Sequence, residues 1–334
     1  MAEAATTESK GRSWRPLLWG LAAFLICPLL PFVEAVIPVQ QTLLLLIPVV
    51  AACSIVAWRV GGRLALAVIW VALAVWMLLQ PAGPPGAQYD QMARGWAVLL
   101  ASSFGLVGLW STSMPFFSRA LIALGLATGI GFVLALSSPS GIARFQHAAG
   151  EEITRRVSST IESEREGRSS PEWRDLTKRF PVLDTFNDES ESIMRDMPSR
   201  SASLLPALLA LESLAVLALG WGIFQRISPT WIGPPLGRLV DFRFNDQLVW
   251  GLAVGATLSL LPAFGEGRNA GYNLLLFFGG LYLIRGIGVL AWMARGRYVY
   301  IVLLGLVPQV FLIVTLALGL GDTWLDLRRR AKAT

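Results

Sequence analysis

The sequence predicts an all-α protein: a polytopic integral membrane bundle of eight or nine transmembrane helices with one amphipathic helical insert. Three observations predict it. Nine long runs are almost free of charge, and a helix needs about 20 apolar residues to cross a lipid core of about 30 Å. Of 334 residues, 54% are hydrophobic and only 15% charged, against roughly 25% charged in a soluble domain. The Lys and Arg residues behind the net charge of +6 cluster in short segments between the apolar runs, where they set topology. That distribution excludes nucleic acid as a partner and leaves membrane lipids.

The runs are Pro16 to Val33, Leu43 to Trp58, Leu64 to Gln80, Trp96 to Phe117, Ala120 to Ser137, Leu204 to Gln225, Leu248 to Ala263, Tyr272 to Met293 and Tyr298 to Gly321. They divide the chain into an N-terminal tail (1–15), a five-span half (16–137), a polar insert (138–203), a half of three to four spans (204–321) and a basic tail (322–334). The first run follows Lys10, Arg12 and Arg15, and Val33-Glu34-Ala35 resembles a signal-peptidase site. The run is long for a signal core and eight more follow, so an uncleaved first helix is expected. Cys27 and Cys53 lie inside apolar runs and serve neither a disulfide framework nor a zinc site.

Lys10, Arg12, Arg15, Arg59, Arg63, Arg119, Arg226, Arg238, Arg243, Arg295 and Arg297 alternate onto one side, while the opposite short connections carry only Arg94 and Arg268. The positive-inside rule therefore puts the N-terminus in the cytoplasm. Nine spans would strand Arg328, Arg329, Arg330 and Lys332 outside, so the last run, with Gly305 and Pro308 near its middle, reads as broken or re-entrant; the short seventh run is the other suspect.

The insert holds ten Lys or Arg and twelve Asp or Glu. Ile142, Phe145, Ala149, Ile153, Val157 and Ile161 recur every three or four residues, giving an apolar stripe opposite Glu151, Glu152, Arg155 and Arg156; such a helix lies on membrane or protein. Ser170-Pro171-Glu172 reads as an N-cap with Pro at the first helical position, opening a helix with Trp173, Leu176 and Phe180 on one side. Leu183, Phe186, Ile193 and Met197 suggest a third.

Chemistry must come from the few embedded polar residues. Glu212 sits about two turns inside the sixth run, where a lone carboxylate costs several kcal/mol unless paired or protonated. Arg285 is similarly embedded in the eighth, and an ion pair between them is expected, as a substrate- or proton-handling site or as a structural clamp. Asn273 and Tyr282 share the run with Arg285 as candidate ligand contacts; Asn273 also fits a cap or a bridge between helices. Asn245 or Asp246 should cap the seventh helix, with Trp250 in the aromatic belt. Gly125-x-x-x-Gly129 and Gly251-x-x-x-Gly255 read as packing motifs. Gly319-Leu320-Gly321-Asp322 matches the Gly-x-Gly-Asp of intramembrane aspartyl proteases, but that chemistry needs a second carboxylate. No other Asp lies in an apolar run, and Trp324 with the following arginines marks a membrane interface, where Asp322 is placed too. No catalytic residue, metal ligand set or cofactor is expected; His147 has no Cys or His companion.

The second half, roughly Leu204 to Arg330, resembles the YybS-like family of predicted membrane proteins, also called the domain of unknown function 2232 family. The matching features are Leu204-Leu205-Pro206 at the start of a long span, Tyr272-Asn273-Leu274-Leu275 running into Leu283-Ile284-Arg285-Gly286-Ile287-Gly288-Val289, and the closing Gly319-Leu320-Gly321-Asp322-Thr323-Trp324-Leu325-Asp326-Leu327-Arg328. The resemblance implies a multi-pass protein of a bacterial cytoplasmic membrane. Where the family usually has Gln before Gly286 this chain has Arg285. The first half looks like the membrane-embedded substrate-binding subunits of energy-coupling-factor vitamin transporters. Those subunits dock their partner through Ala-x-x-x-Ala on the first helix, a repeat that Leu17 to Phe24 lacks. The function expected is a transporter-like subunit binding a small solute near Glu212 and Arg285; the alternative is a non-enzymatic envelope scaffold engaging a membrane protein partner through 138–203.

Overall fold

The computed structural model describes residues 14–26, 39–80, 87–139, 141–180, 182–261, 265, 267–294 and 308–328. Val33-Glu34-Ala35, Cys27, Arg295, Arg297, residues 298–307 of the last run and the tail from Arg329 onward lie outside them. Among the described residues there are eleven α-helices: α1 (Arg15–Ile26), α2 (Val39–Arg59), α3 (Leu64–Leu79), α4 (Ala87–Trp110), α5 (Phe116–Ser137), α6 (Gly141–Arg168), α7 (Pro171–Arg179), α8 (Val182–Ile227), α9 (Val249–Leu260), α10 (Arg268–Met293) and α11 (Pro308–Leu325). Among the described residues there is no strand. The protein is an all-α, multi-pass membrane bundle.

Among the described residues, five helical segments are long and apolar enough to cross a membrane: Gln41–Arg59, Gln88–Trp110, Phe116–Ser137, Ala202–Ile227 and Arg268–Met293. The expected seventh span condenses to α9, whose 12 residues reach only about 18 Å. Of the last run, the described residues form the 18-residue α11, whose first described residue is Pro308.

The chain divides into two compact units, Met1–Leu205 with Glu212–Pro235, and Pro206–Leu211 with Leu236–Thr334. The core of the first is aromatic: Trp221 meets Phe104 edge-on at 6.0 Å and lies beside Phe116 and Phe224. Arg119 is buried against it, its guanidinium 4.6 Å from the Trp221 ring, and its Nη2 donates to the carbonyls of Ser111, Thr112, Met114 and Ile232. The sequence places Arg119 among connection charges; it is instead fully buried, because those carbonyls at the α4–α5 turn need a donor. At the opposite end of this unit Arg94 pairs with Asp90 at 2.6 Å and donates to the Met77 and Leu78 carbonyls that end α3.

At that second end stands the polar insert. Its apolar stripe is covered by protein: Ala149, Ile153, Val157 and Ile161 of α6 cluster with Tyr89 and Leu205, and Phe145 and Ala93 pack against them. Ser170 caps α7 as expected, its side chain accepting from the Trp173 N–H at 3.2 Å. The third insert helix corrects the reading of the boundary at 203–204. It and the sixth span are one helix, α8, 46 residues long, whose first 20 residues extend about 30 Å ahead of Ala202. Glu191 on that extension receives Arg165 and, at 3.5 Å, Arg168 from the end of α6, so α6 and the start of α8 form an ion-paired stalk.

In the second unit, α10 packs on α9 and α11 through glycine. A Cβ at Gly286 would collide with the Thr315 carbonyl and one at Gly319 with the Tyr282 carbonyl, so only glycine allows this approach. Gly251 and Gly255 make the expected contact, against Phe278 and the Gly271–Leu275 stretch of α10. Nothing lies within 4 Å of a Cβ built at Gly125 or Gly129, so that motif packs against no described neighbour.

Candidate functional site

The expected Glu212–Arg285 pair is replaced by two separate arrangements, one in each unit. Arg285, on α10, is 2% exposed. Its Nε donates to Asp322 Oδ2 at 3.1 Å, its Nη2 to the Asp322 carbonyl at 3.2 Å, and its Nη1 to Asp246 at 2.7 Å. Arg328 completes the cluster: Nη2 meets Asp322 Oδ2 at 2.7 Å, while Nη1 and Nη2 reach the Val240 and Phe242 carbonyls at 2.7 and 3.0 Å. The Phe244 ring lies 5.3 Å from the Arg285 guanidinium and stacks edge-on against Tyr282 at 5.0 Å. Two guanidiniums and two carboxylates balance here, with their donors engaged by carboxylates or carbonyls.

Asp322 and Arg328 therefore leave the roles the sequence assigns them. Both are buried, and the basic tail drawn at 322 begins inside the core of its unit. The signal was the spacing: Asp322 lies on a turn of α11 close to α10, and Arg328 follows Asp326, whose φ of 44° turns the chain back. Asp246 is an ion-pair partner rather than a cap, whereas Asn245 does cap, accepting from the Gln247 N–H at 3.0 Å just ahead of α9. Trp250 and Trp324 are exposed. Asn273 bridges helices: its Oδ1 accepts from the Ala207 N–H at 2.9 Å, next to Pro206, where the proline ring interrupts helical bonding.

Glu212, in the first unit, is 5% exposed and meets no cation among the described residues. Gln41 Nε2 donates to its Oε2 at 2.8 Å and Thr42 Oγ1 to its Oε1 at 3.2 Å. Tyr89 then donates its hydroxyl to Gln41 Oε1 at 2.7 Å. The Tyr89 ring lies 5.0 Å from the Arg156 guanidinium, and Arg156 donates to Glu152 at 2.8 Å at the base of the stalk. Beside Glu212, Ser213 accepts from Trp96 Nε1 at 2.9 Å. Gln41, Thr42 and Tyr89 escape a reading of apolar runs because each stands just before one, at Leu43 and at Trp96. No three His, Cys, Asp or Glu converge to hold a metal among the described residues.

Residues 181–323 match the model of a family described as predicted membrane protein (DUF2232). That segment of the chain is similar to DUF2232. The match covers the expected resemblance from Leu204 as far as Thr323, short of Arg330, and starts earlier, at the head of α8, so it includes the polar first part of that helix. It also contains Glu212, Asp246, Arg285 and Asp322, with Arg328 five residues beyond its end. No curated protein and no solved structure matches the chain. The likeness of the first half to energy-coupling-factor subunits gains nothing from these comparisons.

Proposed function

We propose that the protein is a non-enzymatic scaffold of a bacterial cytoplasmic membrane that holds a helical stalk outside the bilayer for a protein partner. The observation that carries this reading is α8. One helix runs from the polar insert into a membrane span, so the stalk is fixed to the bundle without a hinge loop. The ion pairs to Glu191 and the apolar cluster around Tyr89 fix α6 alongside it. On α7, between the two stalk helices, Leu176 and Phe180 are 45% and 60% exposed and offer an apolar contact.

The side follows from charge. Arg59, Arg63, Arg119 and Arg226 lie at the end of the first unit remote from the stalk, and the positive-inside rule makes that end cytoplasmic. A membrane-impermeant thiol reagent applied to intact cells should label Ser169→Cys in the stalk and spare Ser113→Cys at the basic end; the reverse pattern would overturn the orientation. Leu176→Glu with Phe180→Glu should abolish a crosslink from a photoreactive residue at Thr177 to its membrane partner, and leave folding intact.

A transporter-like solute site is the second reading, favoured by Glu212 alone. A buried carboxylate without a cation is a place where a ligand's charge is welcome. The closed Arg285 cluster contributes nothing to it.

A further inference from the structure

We propose that Glu212 is a proton-binding switch, and that protonating it reverses the hydrogen-bond chain through Gln41 to Tyr89 and so changes how the stalk is held. The inference does not rest on the scaffold reading.

The direction of each hydrogen bond is fixed by the carboxylate. An ionised carboxylate only accepts, so Gln41 must present Nε2 to it. Gln41 Oε1 then faces Tyr89, whose hydroxyl must donate. Every donor in the chain points toward Glu212. A proton placed on Oε2 turns that carboxyl into a donor facing an amide N–H₂, and the clash is relieved when the Gln41 amide turns over. Oε1 then accepts from Glu212 and Nε2 donates to the Tyr89 oxygen. Only one proton is added. No bond between heavy atoms changes, and the Tyr89 hydroxyl hydrogen becomes free to find another acceptor.

The same directions favour a proton over a metal cation as the ligand. The two side chains that hydrogen-bond to the carboxylate, Gln41 and Thr42, both offer it hydrogens rather than lone pairs. The surroundings do not neutralise Glu212 either. From α2 it receives neutral groups. From α4 come Tyr89 and, beyond it, Asp90 and Arg94, which pair with each other at 2.6 Å. From α6 come Arg156 and Glu152, which also pair, at 2.8 Å. The consequence reaches the stalk because Tyr89 sits in the cluster that covers the α6 stripe, under Arg156.

The test uses the full chain in lipid nanodiscs, with Glu152→Gln measured in parallel as the control for the other carboxylate at the stalk base. Infrared spectra across pH should show a protonated-carboxyl band that titrates and that Glu212→Gln removes. Amide hydrogen exchange of residues 149–161 should change about fivefold across the same titration, the effect of one hydrogen bond. Glu212→Gln should abolish the change. Tyr89→Phe should keep the titrating band and lose the exchange response, and Thr42→Val should keep both. A pH-dependent exchange that survives Glu212→Gln, a carboxyl band that never titrates, or a response lost in Thr42→Val but kept in Tyr89→Phe would each overturn the proposal.

Discussion

Arg285 and Asp322 meet at 3.1 Å with side chains 2% and 0% exposed, and Arg328 closes on the same carboxylate at 2.7 Å. One anion thus serves two buried cations. The arrangement is asymmetric, because removing the shared partner strands Arg328 and leaves Arg285 only the half-exposed Asp246, while removing either arginine leaves Asp322 paired with the other.

Asp322→Asn should therefore destabilise far more than Arg285→Gln. Arg328 without a carboxylate, and Arg285 held by Asp246 alone, should cost about 3–5 kcal/mol, whereas Gln at 285 leaves the Asp322–Arg328 pair and still offers a hydrogen bond, costing about 1–2 kcal/mol. Thermal unfolding in one detergent reads the order. Equal losses for the two variants would contradict the shared-anion geometry.

Helix α11 provides its own control for the glycine contact. A methyl at Gly319 meets the Tyr282 carbonyl, while at Gly321 nothing lies within 4 Å. Gly319→Ala should lower stability by about 1–3 kcal/mol, since backbone must move, and Gly321→Ala should be neutral or slightly stabilising. Thermal melts of the two variants, measured side by side, check the difference.

How far the sequence could be read depended on range. Apolar length and periodicity are local, and from them the helical class, the α6 stripe and the Ser170 cap all follow. The partners of the embedded charges are not local: Glu212 meets Gln41 171 residues away in sequence order, and Arg285 meets Asp322 37 residues on. With only two deep charges visible in the apolar runs, the sequence pairs them with each other. That pairing fails because Gln41, Thr42 and Tyr89 stand at span ends, where polar residues look like interface, and because Asp322 and Arg328 stand where a tail was expected. The join of insert and span in α8 was hidden by its change from polar to apolar, which marks a change of solvent rather than a break in the helix.

Arg119 gives a further prediction. Its Nη2 serves carbonyls of Ser111, Thr112, Met114 and Ile232, and no carboxylate pairs with it among the described residues. Arg119→Met should leave buried carbonyls without a donor and cost about 2–4 kcal/mol. Arg119→Lys keeps the charge but loses the planar fork and the stacking on Trp221, so it should recover only part of that loss. Trp fluorescence during unfolding reports both, since Trp221 is the contact affected. Full recovery by Lys would show that charge, and not the fork, is what the site needs.

Acid should loosen the stalk before it unfolds the bundle. Burial alone would push the Glu152 carboxyl up, but hydrogen bonds from Arg155 and the charge of Arg156 outweigh it and hold the group below its ordinary 4.5. On the exposed face of the stalk, hydrogen bonds from Arg165 and Arg195 lower Glu191 likewise. A carboxylate lowered in the folded state gives stability that is present in full above its unfolded value and disappears as pH falls through the folded one. Both groups therefore act in the same direction, and proteolysis of residues 141–200 at neutral pH should be slow and rise as pH falls below the ordinary carboxylate value of 4.5. Glu152→Gln with Glu191→Gln should raise cleavage at neutral pH and flatten that rise. Cleavage that stays as steeply acid-dependent in the double variant would assign the response to other carboxylates.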